Sequence, residues 1–162
     1  YNKGVRTGTW KDYYPSGKLQ FIQPFNDEGI QNGTLVSYYE NGQKRNEQVI
    51  DNGENIDGIS YKTWFENGDK EAELTFRNGQ MIVRKNWNNW GELVNHEVFN
   101  EALGKLETIE ISPDEKYDFA SKNYKNRQKE IKQLMKGRHT HNATQGNEGL
   151  GFWNRIKQFF FE

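Results

Sequence analysis

The stretch Gly33-Thr34-Leu35-Val36-Ser37-Tyr38-Tyr39-Glu40-Asn41-Gly42-Gln43 decides how the rest of the chain is read, because it recurs. Gly8-Thr9-Trp10-Lys11-Asp12-Tyr13-Tyr14-Pro15-Ser16-Gly17-Lys18 matches it without a gap. Gly58-Ile59-Ser60-Tyr61-Lys62-Thr63-Trp64-Phe65-Glu66-Asn67-Gly68-Asp69 matches it with one extra residue before the aromatic pair. Trp87-Asn88-Asn89-Trp90-Gly91-Glu92-Leu93 is a degraded fourth copy, in which Trp87 and Trp90 replace the adjacent rings. The glycines Gly17, Gly42, Gly68 and Gly91 follow one another at intervals of 25, 26 and 23 residues. A period of this size marks an array in which each supersecondary unit is stabilised by its neighbours.

Between these copies lies a second motif, an apolar residue, two polar residues and Gly. It reads Ile50-Asp51-Asn52-Gly53 and Phe76-Arg77-Asn78-Gly79, with Phe25 to Gly29 carrying one insertion and Tyr1-Asn2-Lys3-Gly4 fitting as well. The chain therefore begins part-way through a unit, and a further half-repeat upstream is expected. Asn-Gly occurs at 32–33, 41–42, 52–53, 67–68 and 78–79. Asn-Gly accepts positive φ at both centres of a type I′ turn and is the strongest short hairpin signal. Pro15-Ser16-Gly17 supplies a turn of another kind. The intervening segments have strand length and are rich in Trp, Tyr, Phe, Thr, Val and Ile, which suit a pleated surface. Neighbouring rings such as Tyr13 and Tyr14 are expected on opposite faces. The predicted fold is mainly β: an elongated single antiparallel sheet of successive hairpins over residues 1–111, followed by an α-helix and a short aromatic helix.

Composition agrees. Of 162 residues, 33% are hydrophobic but 14% are aromatic, which fits thin layers held by rings and argues against a disordered chain. No apolar run approaches the length of a spanning helix. With Cys 0, disulfides and cysteine metal sites are excluded. The net charge of -1 hides an asymmetry, since residues 113–162 hold ten Lys and Arg against six Asp and Glu.

The pattern carried by Gly8, Trp10, Tyr13, Tyr14, Gly17, Gly33, Tyr38, Tyr39, Gly42, Gly58, Trp64, Phe65 and Gly68 resembles the MORN repeat. It is similar above all to bacterial MORN-variant repeats, including the YwqK-type antitoxin family. The resemblance covers residues 1 to about 93. It implies a binding or scaffolding module with a protein partner, or contact with membranes or phospholipids, and an antitoxin or immunity-like role.

After the repeats, Val94–Phe99 and Leu106–Ile111 read as strands that close the sheet. Ser112-Pro113-Asp114-Glu115 has the form of a capping box and predicts a basic helix over 112–137, ending at Gly137, with Tyr117, Ala120, Tyr124, Ile131 and Leu134 as its apolar stripe. Residues 138–151 read as a flexible linker. Residues 152–162 form an aromatic amphipathic tail in which Phe152, Ile156, Phe159 and Phe160 share a face.

The candidate binding surface is Trp10, Tyr13, Tyr38, Trp64, Trp87, Trp90, Phe152, Trp153, Phe159 and Phe160. A candidate basic patch, Lys122, Lys125, Arg127, Lys129, Lys132, Lys136 and Arg138, is suited to anionic lipid or nucleic acid. His139 and His141, with His96 the only other histidine, are too few for a metal site and lack a supporting cleft, so a C-terminal toxin or nuclease is the weakest alternative. Asn32-Gly33-Thr34 and Asn142-Ala143-Thr144 match the glycosylation sequon. The reading is a non-enzymatic protein-binding scaffold without cofactor, cytoplasmic, or periplasmic or cell-surface if a signal sequence lies upstream.

Overall fold

The structure, a computed structural model, describes residues 4–119 and 121–139. Ten strands form one antiparallel sheet: β1 (Gly8–Tyr13), β2 (Leu19–Phe25), β3 (Gly33–Tyr38), β4 (Lys44–Asp51), β5 (Glu54–Asn55), β6 (Gly58–Trp64), β7 (Lys70–Arg77), β8 (Gln80–Trp87), β9 (Leu93–Asn100) and β10 (Lys105–Thr108). Neighbours in space are neighbours in sequence, with the short β5 pairing only β4. The sheet and the described chain to Lys125 form one compact unit, and the described residues from Asn126 onward belong to another.

Each repeat is a hairpin closed by the same turn. Tyr39 N–H donates to Gln43 O (2.8 Å) and Gly42 N–H to Tyr39 O (2.9 Å). The same pair of bonds joins Tyr14, Gly17 and Lys18; Phe65, Gly68 and Asp69; and Asn88, Gly91 and Glu92. In these turns only the glycine has positive φ, +89° at Gly42 and at Gly68. They are type I turns finished by a left-handed residue, so Asn41-Gly42 and Asn67-Gly68 are not type I′ turns. The asparagine contributes its side chain instead: Asn41 Oδ1 accepts Gln43 N–H (2.9 Å) and Asn67 Oδ1 accepts Asp69 N–H (3.0 Å). Type I′ geometry is confined to Asn52-Gly53 (φ 48° and 86°) and Asn78-Gly79 (φ 51° and 74°), where strands meet directly. Asn32-Gly33 is not a hairpin turn either, because Gly33 opens β3.

A bulge follows each turn at the same place. Register shifts at Asp12/Tyr13, Ser37/Tyr38, Thr63/Trp64 and Asn86/Trp87 leave Gln20, Arg45, Glu71 and Val94 as the extra residues. A bulge adds one residue to one strand and increases local twist. The extra residue of the third copy is absorbed by a further bulge between Ile59 and Tyr61. Ser60 there is buried and donates to Asn55 Oδ1 (3.3 Å).

Units are joined through their second ring. Tyr14 Oη donates to Tyr38 O (2.6 Å) and Tyr39 Oη to Trp64 O (2.8 Å). Burial raises the Tyr39 pKa, Glu71 adds to this, and Arg45 opposes it. Phe65 occupies the corresponding position without a hydroxyl. The core is thin; among the described residues its buried apolar side chains are Val36, Ile50, Ala72, Trp87 and Leu93.

The helix α1 (Lys122–His139) starts later than its sequence predicts. Ser112 and Glu115 do bond, Oγ to Oε2 at 3.1 Å, but they close only a turn. The chain beyond extends because the sheet claims its backbone: Leu93 N–H donates to Lys116 O (2.7 Å) and Asp118 N–H to Gly91 O (2.6 Å). Tyr117 is thus bridged to Glu92, not carried on a helical stripe. Ser121 is the actual N-cap, its Oγ accepting Tyr124 N–H (3.2 Å). Residues 140–162, with most of the predicted linker and all of the predicted aromatic tail, lie outside the described residues.

Tyr39→Phe removes the hydroxyl that links the second unit to the third. It is expected to lower unfolding free energy by about 1 kcal/mol in urea denaturation at unchanged m. An unchanged midpoint would show that this bond does not couple the units.

Candidate interaction surface

The first rings of the third and fourth units are covered from the preceding hairpin. Lys44 Nζ lies 5.7 Å from the Trp64 ring centroid and Lys70 Nζ 4.6 Å from that of Trp87. Both lysines are also held three residues along their strands, Lys44 by Glu47 (2.5 Å) and Lys70 by Glu73 (3.1 Å). Each arrangement is a ring, an ammonium and a carboxylate repeated at the period of the array. Register continues the charges across four strands as Glu47, Lys62, Glu73 and Lys85. Opposite charges directly across strands support the sheet.

This cover sorts the predicted surface residues. Tyr13, with no preceding hairpin among the described residues, is 56% exposed, and Trp90, in the fourth turn, is 45% exposed. Trp10, Tyr38 and Trp64 are half-buried. Arg6 stacks on Trp10, 4.8 Å from its centroid, and Trp10 Nε1–H donates to Thr7 O (3.1 Å). Trp87 is only 8% exposed; roofed by Lys70, it packs the interior and is withdrawn from the surface. Phe152, Trp153, Phe159 and Phe160 lie outside the described residues. On α1, Lys125, Lys129 and Lys132 are exposed and Arg127 is half-buried, whereas Lys122, Lys136 and Arg138 are placed only by the helix backbone. His141 and the His139 side chain lie outside the described residues. Among the described residues no group of three His, Asp or Glu is positioned to hold a metal.

A second row escapes inspection of aromatics. Val5, Ile30 and Ile56 are all exposed, at intervals of 25 and 26 residues. Val5 lies against Gly29, and a Cβ at Gly53 would meet Ile30 Cγ2 at 3.2 Å. Val5 and Ile30 therefore each cover a turn glycine of the next unit, and all three side chains leave apolar surface toward water. The signal was present as the same period, but on aliphatic residues beside the turns.

The last unit is closed by residues 112–121. Lys85 Nζ bonds Glu115 Oε1 (2.8 Å), and Glu115 Oε2 lies 3.9 Å from His96 Nδ1. His96 is 7% exposed and its Nδ1 has no hydrogen-bond partner. A Cβ on Gly91 would meet Ser121 Cβ at 2.7 Å, so this contact needs glycine. Rings of Tyr117, Phe119 and Tyr124 cluster beyond it, with the closest centroids 5.2 Å apart. No local spacing announces this closure, since Lys85 and Glu115 are 30 residues apart.

The MORN repeat variant matches residues 6–27 and 31–52, the first two units. The later units share their turn and bulge. No curated protein matches the chain. MORN repeats are commonly binding modules for proteins or membranes and are in general non-catalytic.

The closing contact carries a pH dependence. Burial lowers the His96 pKa below its ordinary 6.5, Lys85 pushes the same way, and Glu115 opposes. The unfolded chain thus takes up this proton first, and the stability is complete above 6.5 and lost as pH falls below it. Hydrogen bonds from Lys85 and Ser112 hold Glu115 below its ordinary 4.5, so its contribution persists above 4.5 and disappears under stronger acid. Thermal midpoints should fall with acidification from neutrality, and His96→Gln should flatten the first part of that fall. An identical profile in the variant would remove His96 as its source.

Proposed function

We propose that this chain is a non-enzymatic protein-binding scaffold whose partner lies along the row Val5, Ile30 and Ile56. The observation that carries the reading is exposed apolar surface repeated at the period of the units. Interior packing would bury such side chains, and a turn glycine needs no aliphatic cover. Contacts spaced by the array favour a partner that engages several units together, so that linked weak contacts reinforce one another. The exposed rings Tyr13 and Trp90 extend the polar and aromatic surface available to it. An antitoxin or immunity-like role is the form of this reading in which the partner is a toxin.

A second reading rests on Lys125, Lys129 and Lys132. Spacings of four and three place them on one helical face, where they would attract anionic lipid or nucleic acid.

Immobilised protein should retain a partner from its native lysate in stoichiometric amount. Ile30→Lys with Ile56→Lys, checked for an intact β-sheet by circular dichroism, should reduce that capture at least about tenfold, as expected for loss of a central apolar contact. Equal capture by the double variant would exclude the row. Sedimentation with phosphatidylserine vesicles that Lys129→Glu abolishes, without any captured protein, would favour the helix instead.

A further inference from the structure

The five Asn-Gly steps are chemically equivalent in sequence and differ in the fold. At four of them the asparagine side chain is held. Asn32 Nδ2 donates to Asp51 Oδ1 (3.3 Å) and Asn52 Oδ1 (3.1 Å). Asn41 Nδ2 donates to Glu66 O (2.8 Å), and its Oδ1 accepts Gln43 N–H. Asn52 Oδ1 accepts amides from both Asn26 (3.1 Å) and Asn32. Asn67 bonds Asp69 through both side-chain atoms. At three steps the following amide is occupied too: Gly42 N–H bonds Tyr39 O, Gly53 N–H bonds Gln31 O (2.9 Å) and Gly68 N–H bonds Phe65 O.

Asn78-Gly79 has neither restraint. Both residues are exposed. Among the described residues, the Asn78 side chain and the Gly79 N–H have no hydrogen-bond partner. The cause is a difference between repeats. The residue before the strand-opening glycine is Asn32 in one unit and Asp57 in the next. Asn32 supplies an N–H to the Asn52 side chain, whereas the Asp57 carboxylate has none to offer. It accepts the Asn78 main-chain N–H instead, at 2.7 Å. Gly79 also presents no side chain to obstruct its own nitrogen.

We propose that Asn78 is a site of spontaneous modification, converting to aspartate and isoaspartate. The Gly79 nitrogen, after losing its proton to solvent base, attacks Asn78 Cγ and forms a new C–N bond. The bond from Cγ to the side-chain nitrogen breaks, and that nitrogen leaves as ammonia with a proton from water. Water then opens the cyclic imide at one of its two carbonyls, giving aspartate or isoaspartate. The balance is asparagine plus water giving the acid plus ammonia, with no oxidant or reductant. Either product adds a negative charge beside Asp51, Glu54 and Asp57, which surround the same hollow. Isoaspartate also lengthens by one carbon the main chain of a turn that joins β7 to β8 through only two residues.

The full chain is incubated at mildly alkaline pH, and each Asn-Gly peptide is followed by mass spectrometry, with isoaspartate detected by enzymatic methyl labelling. Asn78 should convert at least about fivefold faster than any of the other four, the effect of one retained hydrogen bond. Asp57→Asn, which returns an N–H to that position, should slow Asn78 by about the same factor. In urea the five rates should converge. Another step as fast as Asn78 in the folded chain, no slowing by Asp57→Asn, or the same ranking in urea would each overturn the proposal.

Discussion

Everything in the sheet depends on one directional contact, by which each hairpin finishes the next. A tyrosine at the start of a turn reaches forward to a main-chain carbonyl of the following unit, Tyr14 to Tyr38 and Tyr39 to Trp64. A lysine that follows a turn lies over the next unit's first ring, Lys44 on Trp64 and Lys70 on Trp87. A single hairpin cannot bury enough apolar surface to be stable. With so thin a core, stability has to be collected between units. The bulges at Gln20, Arg45, Glu71 and Val94 follow from this constraint, since they keep ring and cover in register after each turn.

Directionality makes the two ends of the sheet different. The C-terminal end has acquired a substitute for a further unit: residues 112–121 bond Gly91 and Leu93 and bring Glu115 to Lys85. At the other end Tyr13 stays largely exposed. The same logic explains the functional reading. A packed layer would consume the aliphatic residues beside the turns, but here Val5 and Ile30 lie against turn glycines and, like Ile56, keep an outward face.

The repeat made the fold legible from sequence. Tyr38-Tyr39-Glu40-Asn41-Gly42 located the hairpins and β9 spans the expected Val94–Phe99, but β10 ends at Thr108, so Ile109 to Ile111 of the expected last strand are not in it. Turn type was less legible, because Asn-Gly supports two geometries and only loop length chooses between them. At 41–42 the longer loop leaves Asn41 with negative φ and a side-chain role; at 52–53 the two-residue loop forces both residues positive. The helix start was misplaced because Ser112 and Glu115 satisfy a capping pattern locally, while Gly91 and Leu93, distant in sequence, take the backbone that a helix would use. The binding surface was half legible. Tyr13 and Trp90 are exposed, but the aromatic character of Trp87 could not reveal the lysine that covers it.

Native-state hydrogen exchange tests the forward-stacking account most directly, since it resolves stability along the sheet. Amides of β6, β7 and β8, with neighbours on both sides, should exchange slowest and as a block, with protection declining through β3 and β2 to β1. Equal protection of β1 and β7, or the slowest exchange at β1 and β2, would contradict it.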